Sequence, residues 1–189
     1  MKFIYLLSLV AISANATISL PNNFETDFNQ TITNAKGKVI EYHGHVKYKN
    51  EKQILIDEHN NEQRIESPLF KWDYTSPTQK EVCTDGVQLI VVDHDLEQVS
   101  RYLISEGINL SKILQVAQKL SNKDYKATYK EVEYLITLDE VGHLKKIFYV
   151  DDLDNRVKIL FDNMQYDLKS FDEKGLECTA PSDYDTIEG

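Results

Sequence analysis

The sequence predicts a mainly β domain: an antiparallel meander curled on itself, with amphipathic helical segments over its open side. Three observations point there. Apolar and polar residues alternate along several runs, tight-turn signals separate those runs, and two further stretches carry apolar residues at helical spacing.

The alternation is clearest in Lys38 to Tyr48. Even positions read Ile40, Tyr42, Gly44, Val46 and Tyr48, and odd positions include Glu41, His43, His45 and Lys47. A strand with one apolar and one wet face gives that pattern. Phe70-Lys71-Trp72-Asp73-Tyr74, Tyr125 to Tyr129 and Val157 to Phe161 alternate similarly, and Val132, Tyr134, Ile136 and Leu138 form another same-side row. Asp85-Gly86, Asp139 to Gly142, Asp154-Asn155 and Glu173-Lys174-Gly175 supply the turns. Roughly ten strands joined in this way make an antiparallel meander rather than a parallel α/β sheet.

Helical spacing appears at Leu110, Ile113, Leu114, Ala117 and Leu120, with Lys112, Gln115 and Lys119 on the other side. A second helix is expected from about Asn23 to Thr33, where Phe24, Phe28 and Ile32 recur every four residues. One or two such helices are sparse cover for so large a sheet. A curled sheet covers itself, as a barrel does, and leaves an inner apolar space for helices to cap. Composition alone does not separate a filled core from a lined cavity.

The chain has 189 residues, with 21 Lys and Arg against 31 Asp and Glu, for a net charge of −10. A surface that acidic repels phosphate backbones and argues against nucleic-acid binding. Residues 1–16 read as a secretory signal peptide: Lys2, an apolar run from Phe3 to Ile12, then Ala14-Asn15-Ala16. Residues 17–189 are then one exported domain. In an oxidising compartment Cys83 and Cys178 are candidates for a disulfide, and two buried thiols remain the alternative.

Catalytic and metal chemistry finds little support. His43 and His45 with Asp93-His94-Asp95 carry possible zinc ligands, but the two histidines share a face with Glu41 and Lys47, and no HExxH or CxxC spacing exists. Asp151 to Asn155 lacks the central Gly and distal Glu of a calcium loop. No nucleophile elbow and no Gly-rich phosphate loop is present. No cofactor, metal or enzymatic activity is expected.

From Phe70 to Pro77 the chain reads F-x-W-x-Y-x-x-P, followed by Thr84-Asp85-Gly86, a strand to Val92, and Asp93-His94-Asp95-Leu96-Glu97-Gln98-Val99. This order and spacing resembles the periplasmic lipoprotein carrier family, LolA. The resemblance implies an unclosed, half-barrel antiparallel sheet with an α-helical lid over an apolar cavity. It also implies a monomeric periplasmic chaperone for acylated outer-membrane lipoproteins, taking them from an inner-membrane ABC transporter and passing them to an outer-membrane acceptor.

On that reading Phe70, Trp72 and Tyr74 form a wall, and Leu110, Ile113, Leu114 and Ala117 the underside of the lid. Phe24, Phe28, Val46 and Tyr48 are expected to line the space. A basic residue that latches the lid in many members stands just before a Pro. Here Ser67 precedes Pro68, so Arg64 and Arg101 are the latch candidates. Val92 stands where a Tyr is common, and Cys83 and Cys178 lie outside the pattern. The alternative on the same fold is another lipid-binding envelope protein, a lipoprotein-sensing regulator or a phospholipid shuttle. A metal-dependent hydrolase using His43, His45 and His94 ranks last.

Overall fold

A computed structural model describes residues 18–56, 62–84, 88–103 and 110–188. The leader at 1–16 and the Asp85-Gly86 turn lie outside the described residues. The chain runs β1 (Asn23–Thr33), β2 (Val39–Ile56), β3 (Glu62–Ser76), β4 (Lys80–Thr84), β5 (Gln88–Asp93), β6 (Gln98–Leu103), α1 (Leu110–Gln115), β7 (Gln118–Lys119), β8 (Asp124–Tyr129), β9 (Val132–Leu138), β10 (Leu144–Val150), β11 (Arg156–Tyr166) and β12 (Asp185–Glu188). All twelve strands described form one sheet in the order β12-β6-β5-β4-β3-β2-β1-β11-β10-β9-β8-β7. Its outer strands, β12 and β7, do not pair with each other, so the sheet stays open.

Turns form where side chains cap the backbone. Asp151 Oδ1 accepts the amides of Leu153 and Asn155, each at 2.9 Å, closing the β10–β11 hairpin. Asp139 Oδ1 accepts those of Val141 and His143 between β9 and β10. These are Asx turns, the usual work of Asp at such corners.

Asn23 to Thr33 is a strand rather than the expected helix. Its burial alternates, with Phe24, Thr26, Phe28 and Gln30 turned inward. Phe24, Phe28 and Ile32 recur at four because every second residue faces the core, and the polar Thr26 and Gln30 between them disguise the period of two. Thr26 is satisfied by donating to the Asp162 carbonyl at 2.8 Å, at a register shift between β1 and β11.

The helix over the concave face is also shorter than its stripe. Among the described residues α1 is the one α-helix, and it ends at Gln115. Gln118 and Lys119 are drawn into β7 beside Lys126 and Tyr125, because Ser121 and Asp124 fold the next turn. Leu120, expected on the apolar stripe, is 60% exposed.

The core sits on the concave face where β1, β2 and β8–β11 converge under α1, holding Phe24, Phe28, Phe161, Ile113, Leu114 and Ile136. On the convex face the C-terminal tail lies across the strands. Cys178 is joined to Cys83, and Leu176 is buried in a 3-10 turn at Lys174–Leu176. The Lys71 ammonium donates to the Glu177 carbonyl at 3.1 Å, and the Thr179 amide to Glu81 at 2.8 Å. β12 then pairs with β6 in parallel, the exception to an otherwise antiparallel ladder.

Candidate functional site

Inside the curl lies a cavity of about 270 Å³. Its lining comes from β5 at one flank to β9 at the other, which only a strongly bent sheet can bring together. β3 supplies Phe70, Trp72 and Tyr74, all on one face because side chains alternate. Directly across the ladder, Phe70 faces Tyr48, Trp72 faces Val46, and Tyr74 faces Gly44. Gly44 in turn stands opposite Phe28 of β1. A Cβ at Gly44 would collide with the Asp73 carbonyl and the Phe28 ring. Its absence lets the Phe28 ring pack edge-on against Trp72 and Tyr74, with centroids 5.0 Å apart in each pair.

Of the eleven positions expected to line the space, the cavity surface includes Phe24, Val46, Tyr48, Phe70, Trp72, Tyr74, Leu110 and Ile113. Phe28, Leu114 and Ala117 are elsewhere. Phe28 backs the aromatic wall, while Leu114 and Ala117 are buried in the core to which α1 belongs. The far side is completed by Tyr134, Ile147, Tyr149 and Ile159, and the β4–β5 flank by Val82 and Leu89. The alternation of Tyr134 and Ile159 and the curl of the sheet were expected from the sequence, whereas the Val82, Ile147 and Tyr149 contributions were not read from it.

Among the described residues that line it, the polar groups are tyrosine hydroxyls, the Trp72 indole N–H, Gln30 and Ser111, and none is charged. Burial, with a contribution from Tyr42, pushes the Tyr74 hydroxyl up to about 12, and burial likewise raises Tyr149 and Tyr134. These phenols are therefore neutral throughout the physiological range. The described lining makes an uncharged, aromatic-walled apolar chamber, suited to hydrocarbon rather than to ions.

The latch candidates fare differently. Arg101 pairs with Ile90, in the row that carries Val92 and faces the tail-covered convex side. It therefore cannot latch α1, which borders the cavity on the concave face. Arg64 pairs with Ile54 in the ladder, and its side chain lies outside the described residues. The histidines do not converge: His45 meets Asp27 at 3.0 Å, whereas His94 contacts the Tyr184 hydroxyl at 3.2 Å.

The fold and the site together are thus an open, curled antiparallel sheet with an apolar chamber under a helix. The sequence pattern of the family described as "Outer membrane lipoprotein carrier protein LolA" matches residues 63–129, from β3 to β8. The chain is 31% identical over 144 residues to a protein of Wolinella succinogenes named outer-membrane lipoprotein carrier protein, covering 76% of this chain and 74% of that one. A protein of the same name from Campylobacter jejuni is 26% identical over 185 residues, 98% of this chain and 95% of the relative. The solved structure of a LolA superfamily protein from Nitrosomonas europaea is 11% identical, covers 85% of this chain and 93% of that one, and superposes with a TM-score of 0.49. This chain belongs to the LolA family of lipoprotein carriers.

Proposed function

We propose that this protein is a periplasmic carrier that shelters the acyl chains of outer-membrane lipoproteins, receives them from an inner-membrane ABC transporter and delivers them to an outer-membrane acceptor. The observation that carries this reading is a cavity whose described lining is uncharged, walled by Phe70, Trp72 and Tyr74 and roofed by Leu110 and Ile113. Exposing an acyl chain to water costs about 0.8 kcal/mol per CH₂, so a multiply acylated anchor needs on the order of tens of kcal/mol of cover in transit. Broad contact with aromatic and aliphatic surface supplies that cover without directional bonds, so the chains leave when a better apolar surface is offered.

At about 270 Å³ the chamber is smaller than the ~300–1,000 Å³ sites that hold drug-sized molecules. Loading therefore requires α1 to move away from the chamber mouth. The helix, described over Leu110–Gln115, roofs the chamber through Leu110 and Ile113, so its displacement uncovers apolar surface that the incoming chain covers again. The carrier needs no catalytic group, and none is assigned.

The test is extraction. Purified protein is incubated with inner-membrane vesicles containing the lipoprotein-releasing transporter and a labelled triacylated lipoprotein. Label is expected to appear in the soluble fraction in complex with this chain. Label that stays in the vesicles while an established carrier extracts it would reject the proposal.

A further inference from the structure

Gln30 sits on β1 opposite Ile159, points into the chamber, and retains only 9% of its exposure. The Tyr74 hydroxyl donates to its side-chain oxygen at 3.2 Å, which fixes the amide plane. The amide nitrogen makes no hydrogen bond to any described residue. Two N–H donors thus face the chamber from a wall of aromatic and aliphatic carbon, and they go unmet, at a cost, once a ligand displaces water from it. The other buried polar side chain in the β1 row, Thr26, shows the ordinary solution: its hydroxyl is bonded to the Asp162 carbonyl. At position 30 an aliphatic side chain would pack the same space with no such cost.

We infer that the Gln30 amide is the recognition point for a carbonyl oxygen of the cargo, so that the chamber takes acyl esters or acyl amides rather than hydrocarbon as such. A hydrocarbon tail offers the donor nothing. The carbonyl that joins each acyl chain to its glycerol or amine offers one acceptor at the polar end of the chain. With that carbonyl on Gln30, the chain lies along Phe24, Val46 and Trp72, which border the same chamber. Tyr74 is the positioning residue, acting through the bond that orients the amide. A ligand without the carbonyl that displaces water from the chamber leaves the donor unpaired, the arrangement that gives strong discrimination in polar-lined sites. This inference rests on the carrier reading and names the ligand group within it.

The experiment compares two ligands of equal chain length, dioctanoylglycerol and its diether counterpart dioctylglycerol. Each is titrated into the full protein while the emission of Trp72, the single tryptophan, is followed. One hydrogen bond predicts that the diester binds about three- to tenfold more tightly. In Gln30→Met the ratio falls to about one. In Tyr74→Phe, which keeps the ring and removes the orienting hydroxyl, it falls part of the way. Equal binding of the two ligands by the native protein, as when water alone serves the amide, overturns the inference and leaves the carrier reading standing. A preference that survives in Gln30→Met also overturns it. If neither ligand binds, both readings fall together. Should Gln30→Met fail to fold, the native ratio and its fall in Tyr74→Phe still decide the matter.

Discussion

In the floor of the sheet, formed by β1 and β8–β11, the fully buried side chains point inward: Phe24, Phe28, Ile136, Val157 and Phe161 fill the concave side beneath α1. In the wall, formed by β3–β6, they point the other way. Cys83, Val92 and Val99 are buried on the convex side under the C-terminal tail, while Phe70, Trp72 and Tyr74 face the chamber half-buried. Both flanks border the chamber, the floor through Tyr134, Ile147, Tyr149 and Ile159. The floor also carries the buried core, whereas the wall packs its half-buried aromatics against that core and is braced from behind by a disulfide, the Leu176 plug and the Lys71 and Glu81 contacts. A single continuous sheet can thus carry its own core on one flank and depend on outside bracing on the other.

The largest expected effect comes from placing a charge in the wall. Trp72→Glu puts a carboxylate into a chamber with no charged residue among its described lining, and burying an unpaired ion costs several kcal/mol. Lipid binding is expected to fall by about 100-fold or more, with the far-UV spectrum of the native sheet retained. A variant that loses near-UV signal and cooperative unfolding would place Trp72 in the structural core and erase the distinction between wall and floor.

Paired truncations measure the same distinction as stability. Phe161→Ala removes a fully buried ring from the floor and is expected to cost about 3–5 kcal/mol. Phe70→Ala, in the half-buried wall, is expected to cost less than about 2 kcal/mol while weakening lipid binding more than Phe161→Ala does. Urea unfolding of each variant gives the comparison, and equal losses would show that the wall is packed as core.

The asymmetry bears on how much was readable from the residues alone. The meander, its turns and most of the wall followed from alternation in Ile40 to Tyr48 and Phe70 to Tyr74, because a period of two fixes which side chains share a face. The floor was misread at β1, where inward Thr26 and Gln30 break the apolar row into a helix-like spacing of four. The same misreading hid Gln30 as a chamber residue. Arg101 was misplaced because its face is set by pairing with Ile90, and strand pairing is not local information. The tail was unreadable for a similar reason. Asp172 and Glu173 look like solvated charge until Lys47 and Lys49 are placed opposite them.

The brace makes its own prediction. Replacing Cys83 and Cys178 together with Ser opens a link between residues 95 apart, which is expected to lower stability by about 2–4 kcal/mol. Limited proteolysis should then cut within residues 168–184 at protein concentrations and times that leave the disulfide form intact. Lipid binding should weaken along with the brace, since the wall strands β3 and β4 lose their backing. Loss of stability with binding unchanged would show that the wall keeps its shape without the tail.

The smallest effect is expected on the back of the floor, which no tail covers at Asp27. Its carboxylate accepts from the Asn163 amide at 2.9 Å and lies 3.0 Å from His45 Nδ1, and these bonds hold its pKa below the ordinary carboxylate value. A carboxyl whose folded-state pKa is depressed adds stability above its unfolded pKa of about 3.9, and that stability is lost as pH falls through the folded value. Because the Asp27 side chain is 54% exposed, solvent screens the interaction, and Asp27→Asn should cost less than about 1 kcal/mol at pH 7. The gap between native and variant proteins should close as urea unfolding is repeated toward pH 3, where protonation makes the native side chain resemble the amide. A gap that persists unchanged into acid would mean that charge is not what Asp27 contributes to the floor.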